Sequence, residues 1–145
     1  MRQVFGTRVL GTMGITALVA VWMSGIVLAA DKPPESYQAA MKTLAAFMQG
    51  IDKAVAAEDY PAVEKLAMSA RDAFEVTEKY WRGRKDDTTA DLALGGYKSA
   101  ADLQVVAGIK DKEGAAFSAG EVKAACGTCH MGHREAQPDG TFLIK

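Results

Sequence analysis

The sequence is poor in the side chains that hold metals or cross-link a chain, with only two cysteines and two histidines in 145 residues. Two cysteines cannot build a framework of several disulfides, and a zinc site formed by four Cys or His ligands would need every one of these residues. The chain also lacks an excess of positive charge, since its formal net charge is −1. A surface that binds nucleic acid would be basic, so we expect no nucleic-acid partner.

Two further patterns are missing. No long stretch alternates between apolar and polar residues, which disfavours β-sheet. The chain has neither a Gly-rich phosphate loop nor a convincing set of Ser, His and acidic residues, so we predict that it is not an enzyme. Apolar residues instead recur at spacings of three and four, which predicts helices over residues 35–57, 60–80, 89–107 and about 119–136.

Local signals place the ends of these helices. Asp59 and Pro61 suit the cap and first turn of the second helix. Ser118 and Glu121 form a capping box for the fourth helix, and the turn residues 138–140 follow it. Four amphipathic helices with short connections predict an all-α fold, an antiparallel four-helix bundle. The predicted inner face of the first helix consists of Tyr37, Met41, Leu44, Met48, Ile51 and Val55.

The third predicted helix contains the pair Gly95-Gly96. Each glycine lowers helix stability by about 1 kcal/mol relative to alanine. The pair has two interpretations: it either marks a weak or kinked helix, or it lets a flat group approach the backbone closely.

Residues 1–30 resemble an export signal. Arg2 and Arg8 precede an uncharged stretch from 9 to 30, which ends in the small residues Ala29 and Ala30. This pattern is typical of a cleaved signal peptide, and the alternative is an uncleaved membrane anchor. Either way, residues 31–145 are predicted to form one domain outside the cytoplasm.

The most informative motif is C-x-x-C-H, formed by Cys126, Cys129 and His130. This pattern is the attachment signal for a c-type haem, in which each thiol binds one vinyl group and the histidine binds iron. Three alternatives compete with it: a redox dithiol, half of a zinc site and a structural disulfide. The redox dithiol lacks a βαβ context, the zinc site lacks further ligands, and the disulfide would close only a very short loop.

The motif lies on the last predicted helix and continues to His133 and Arg134. This arrangement resembles the cytochrome c′ superfamily, the class II cytochromes c, whose pattern is C-x-x-C-H-x-x-(Tyr or Phe)-Arg. Arg134 matches that pattern, and His133 stands in place of the aromatic residue. The resemblance implies one haem c bound covalently through Cys126 and Cys129, with His130 as an iron ligand and Arg134 near a propionate or the imidazole. The tail 141–145 is not part of the family pattern.

The sixth iron ligand separates two branches of that superfamily. The Met41-Lys42 pair, followed by Met48, is similar to the low-spin branch, which implies Met41 as the ligand and Met48 as the second candidate. The function implied is single-electron transfer in a bacterial periplasm, with transient redox-protein partners. The alternative is a high-spin, five-coordinate haem that binds nitric oxide or carbon monoxide. The resemblance also allows a homodimer, and no stable membrane association is expected if the signal is cleaved.

Overall fold

The computed structural model describes residues 32–145, which form four α-helices followed by a two-stranded β-hairpin. The predicted export segment lies outside the described residues. The helices are α1 (Glu35–Ala56), α2 (Tyr60–Gly83), α3 (Asp87–Gly108) and α4 (Lys112–His133). Helix α2 packs against α1 and α3, and α4 packs against α3 and α1, so the helices close into a bundle. The predicted all-α, four-helix fold is confirmed. No helix within residues 32–145 has the length and apolar character needed to cross a membrane.

The three connections between helices repeat one design. Each has three residues, with a left-handed residue in the middle and an aspartate at the end. The N–H of each aspartate donates to the carbonyl five residues earlier, as in a Schellman motif, and its carboxylate caps the next helix. The left-handed residues are Glu58, Lys85 and Lys110, and the capping residues are Asp59, Asp86 and Asp111.

The start of α4 differs from the prediction. The helix begins at Lys112, where the Asp111 carboxylate accepts the N–H of Gly114 at 3.0 Å. The predicted start near residue 119 is wrong, because Ser118 lies inside the helix on its buried face and caps nothing. Both sites match a helix-start pattern, but only Asp111 also ends the preceding helix. Asp111 therefore both ends α3 and caps α4.

The buried interior of the bundle is built mainly from small side chains. We call its 18 fully buried residues the main core, and ten of them are alanine. Phe47, Ile51 and Leu103 are the largest side chains buried completely. The ring of Phe74 lies directly against the backbone of Gly96, where a Cβ atom would overlap with it. Gly96, but not Gly95, therefore admits a flat group, as one interpretation predicted for the pair, and that group is a phenylalanine of the neighbouring helix.

The inner face of α1 is rotated slightly from the predicted one. Tyr37, Leu44 and Ile51 are buried as predicted, but Phe47 is fully buried where Met48 was expected. Met48 is 40% exposed. A helical turn of 3.6 residues accepts inward positions spaced by either three or four, so the apolar pattern alone could not separate these neighbours.

The chain after α4 forms a hairpin. Helix α4 ends at His133, not at the predicted residue 136, and strands β1 (Arg134–Ala136) and β2 (Phe142–Ile144) pair antiparallel. The predicted turn at 138–140 joins these strands, with Gly140 in the left-handed region at φ 81°. The expectation of a chain without strands is therefore wrong for this short tail.

Candidate functional site

A second buried cluster lies at the end of the bundle where α1 and α3 begin and α2 and α4 end. We call it the aromatic cluster. The Tyr37 ring lies 4.4 Å from that of Tyr80, and the Tyr80 ring 5.3 Å from that of Trp81, measured between centroids. Its buried members are Tyr37, Trp81, Ala90 and Ile144, with Met41 and Tyr80 packed against them.

The C-x-x-C-H motif lies on α4, and its Cys129 is near Tyr37 of this cluster. Cys126 is 8% exposed and belongs to the main core, whereas Cys129 and His130 are half-buried. Residues three apart on a helix lie on the same side, so both thiols face one region. The predicted attachment residues are therefore adjacent and next to the buried interior.

The electrostatics place Tyr37 of α1 beside Cys129 of α4. Burial raises the pKa of Cys129 to about 11, and the neighbouring Cys126 and Asp86 add to the effect. Burial raises the pKa of Tyr37 to about 12, with Cys129 as the next contributor. The pKa of Cys126 is also raised by burial. Both thiols therefore stay protonated at neutral pH, unlike the thiolates of reactive redox cysteines.

Met41 is the methionine of α1 that contacts both buried clusters. It is half-buried and packs against the main core, which contains Cys126, and against the aromatic cluster. Met48 lies two turns further along α1, is exposed, and is not among the residues packed against either cluster. Of the two predicted ligands, Met41, the first candidate, is therefore the one that packs against both buried clusters.

His130 lies next to Arg134, one turn further on. Nη1 of Arg134 is 3.5 Å from Nδ1 of His130. Burial lowers the pKa of His130, and the charge of Arg134 lowers it further. A neutral imidazole is the form that binds a metal, so these surroundings favour its use as a ligand.

His133 is engaged in a different set of contacts. The Thr89 hydroxyl donates to Oδ2 of Asp86 at 2.8 Å and lies 2.7 Å from Nε2 of His133. Since the single hydroxyl hydrogen is used, Nε2 of His133 must carry the proton that it donates to Thr89. The His133 ring also lies 4.7 Å from that of Trp81. His133 therefore ties the end of α4 to the start of α3.

Sequence reasoning missed Asp86 and Thr89. Asp86 caps α3 by accepting the N–H of Thr89, and it also accepts the Thr89 hydroxyl. An aspartate three residues before a threonine at a helix start was the available signal. Its link to His133, 44 residues away, had no signal in the sequence.

One buried polar atom in the aromatic cluster is poorly hydrogen-bonded. Trp81 is 3% exposed, and its Nε1–H makes no well-formed hydrogen bond within residues 32–145. The Tyr37 hydroxyl is within its reach, since the indole N–H lowers the pKa of Tyr37 against the larger effect of burial. The two rings pack edge-on, with centroids 6.3 Å apart. A buried donor without a good hydrogen bond costs about 1–3 kcal/mol, so a better acceptor would be stabilising.

Among residues 32–145, no three Cys, His, Asp or Glu side chains are grouped so that they could hold a metal ion by themselves. A haem needs fewer ligands from the protein, because its porphyrin supplies four of the iron ligands. Two adjacent thiols, a neutral imidazole, a nearby thioether and an indole donor suited to a propionate fit such a group. No protein-family model, curated protein or solved structure matches the chain.

Proposed function

We propose that this chain is a class II cytochrome c, of the cytochrome c′ superfamily, that carries single electrons through a covalently bound haem in the bacterial periplasm. The observation that carries the proposal is that Cys126, Cys129 and His130 lie together on α4, with Tyr37 of α1 close enough to Cys129 for that thiol to raise the pKa of Tyr37. Met41, also on α1, packs against both buried clusters. The antiparallel arrangement of the helices is part of this proposal.

The two thiols would hold the haem covalently. Each S–H would add across one vinyl group, with an S–C bond formed and the hydrogen placed on the other vinyl carbon, so no oxidant or reductant would be needed. Because Cys126 and Cys129 lie on one side of α4, both bonds can form to the same molecule.

The remaining residues would hold and surround the iron. His130 and Met41 would be its protein ligands, and a haem held by them would supply one-electron exchange. The indole N–H of Trp81 is suited to a propionate oxygen. Buried Tyr37, Trp81 and Ile144 exclude water from this end of the bundle. A dry and fixed surrounding keeps the reorganisation that accompanies electron transfer small.

Covalent attachment is the decisive test. The full chain should be produced in a bacterium that also makes its cytochrome c maturation proteins, then measured by mass spectrometry under denaturing conditions. We expect the mass of one haem to stay with the polypeptide. The double variant Cys126→Ala/Cys129→Ala should lose that mass, whereas Met131→Ala should keep it, because Met131 adjoins the motif but is 77% exposed. A wild-type chain that matures without haem would refute the proposal.

The sixth ligand is tested by a matched pair of variants. Met41→Ala should convert a low-spin visible spectrum to a high-spin one and open the iron to carbon monoxide, whereas Met48→Ala should leave the spectrum unchanged. Both changes shorten a methionine of α1 to the same residue, so a general effect on the helix would appear in both. A wild-type protein that is already high-spin and binds carbon monoxide at once would point to the gas-binding branch instead.

A further inference from the structure

The hairpin that follows α4 places two side chains on one face. Arg134 pairs with Ile144 and Ala136 pairs with Phe142, so all four residues share a face of the two-stranded sheet. Arg134 and Phe142 are diagonal neighbours across the strands, a separation that long and aromatic side chains can bridge.

The guanidinium group of Arg134 lies on the ring of Phe142. Its Cζ is 3.3 Å from the ring centroid, which is a close cation–π contact. The same guanidinium reaches back along α4, where Nη1 lies 3.5 Å from Nδ1 of His130. The guanidinium of Arg134 therefore has two close neighbours, the ring of Phe142 and the imidazole of His130. A long and otherwise solvated side chain gains a defined position from these two neighbours.

The hairpin itself is fastened to the bundle. Ile144 is 6% exposed and packs with Tyr37, Trp81 and Ala90 in the aromatic cluster. The backbone N–H of Lys145 donates to the carbonyl of His133 at 3.2 Å, which holds the end of β2 against the end of α4. These contacts fix β2, and with it the ring on which Arg134 lies.

We infer that the hairpin 134–144 positions Arg134 beside His130 through Phe142, and that this placement raises the reduction potential of the haem iron. The inference rests on the proposed function, in which His130 binds that iron. Phe142 acts as a positioning residue, since it touches neither His130 nor any other predicted ligand in the described contacts.

The sign follows from electrostatics. Oxidised iron carries one more positive charge than reduced iron, so a cation held near the imidazole disfavours the oxidised state. A cation that moves freely in solvent has a weaker effect, because its average distance is larger and salt screens it. Ordering Arg134 therefore favours the reduced state.

Four variants of the full chain test this: Arg134→Gln, Phe142→Leu, the double variant of both, and Phe142→Tyr. Reduction potentials are measured at low and at high salt, after mass spectrometry has shown covalent haem in each protein. We expect Arg134→Gln to lower the potential and Phe142→Leu to lower it less. The double variant should match Arg134→Gln alone, and Phe142→Tyr, which keeps the ring, should match the wild type. The shifts should shrink at high salt.

The outcomes separate the two proposals. A wild-type chain that acquires no haem overturns the proposed function and this inference together. Normal haem attachment with an unchanged potential in Phe142→Leu overturns the inference alone. Additive shifts in the double variant would also overturn it, since Phe142 would then act without Arg134.

Discussion

The main core and the aromatic cluster are both buried, but they are built from different side chains and satisfy their polar groups differently. Ten of the 18 residues in the main core are alanine, and its helices pack closely. The aromatic cluster contains large rings and holds Trp81, whose buried Nε1–H has the Tyr37 hydroxyl within reach but no well-formed hydrogen bond. The contrast is between small side chains that fill most of the interior and large rings that fill one end of it.

The largest effect is expected in the main core, at Gly96. A Gly96→Ala change places a methyl group against the Phe74 ring and should lower the free energy of unfolding by about 1–3 kcal/mol, as overpacking does. Gly95→Ala is the matched control, because nothing lies within 4 Å of its Cβ position. It should raise stability by about 0.5–1 kcal/mol, since alanine favours a helix. Urea unfolding measures both, and equal effects at the two sites would show that close packing at Gly96 is unimportant.

The next largest loss of stability is expected where Thr89 contacts Asp86 and His133, beside the aromatic cluster. Thr89→Val keeps the shape of a fully buried side chain but removes its hydroxyl from between Asp86 and His133. We expect the free energy of unfolding to fall by about 1–2 kcal/mol. In the variant, Asp86 and His133 lose their hydrogen bonds to the hydroxyl and have only water as a replacement. Thr88→Val, at the exposed neighbouring position, should change stability little. Equal losses in the two variants would mean that exchanging a hydroxyl for a methyl group in the first turn of α3, and not the loss of these hydrogen bonds, is responsible.

The stability that ionised Asp86 contributes through these contacts should fall at acid pH. The backbone N–H and hydroxyl of Thr89 hold the pKa of Asp86 below its ordinary value of 3.8. A lowered folded-state pKa adds stability above the unfolded pKa, and this contribution disappears as the pH falls through the folded value. Asp86→Asn should therefore reduce the loss of stability between about pH 5 and about pH 2. Unfolding followed by circular dichroism at several pH values measures this, and a slope equal to that of the wild type would contradict it.

The smallest effect lies at the other end of the bundle, in the connection between α3 and α4. Lys110 has a left-handed backbone with φ 59°, a conformation that glycine adopts without strain. Lys110→Gly should stabilise the protein by about 0.5–1 kcal/mol. Lys98→Gly, at an exposed position inside α3, should instead destabilise it by about 1 kcal/mol. Thermal unfolding of the two variants should move in opposite directions, and a shared direction would contradict this account of the connection.

How far the sequence predicts the fold varies with the kind of signal. The first three helices follow from strong apolar periods, and Asp59 and Pro61 mark the start of α2 as expected. The start of α4 was misplaced because Ser118 and Glu121 offered a second start pattern, whereas Asp111, which also ends α3, is the residue that caps α4. The hairpin was missed because three-residue strands are too short to show alternation.

The site was predictable to a similar degree. Cys126, Cys129 and His130 form a local motif, so their proximity follows from one helix. That Met41 contacts both buried clusters while Met48 does not depends on the rotation of α1, which periodicity leaves open by one position. The contact of Thr89 with His133 joins residues 44 positions apart and has no local pattern. The contact of Arg134 with Phe142 depends on the register of the short hairpin, which the sequence did not reveal.

The burial of Ile144 beside Tyr37 has a consequence for the order of folding. The three short connections let neighbouring helices meet through local contacts, which form quickly. The contact of Ile144 with Tyr37 instead closes a loop of more than 100 residues, which has a large entropic cost. We therefore expect this contact to form late in folding. Replacing Ile144 by valine should therefore speed unfolding and leave the refolding rate nearly unchanged, as expected for a contact absent from the transition state.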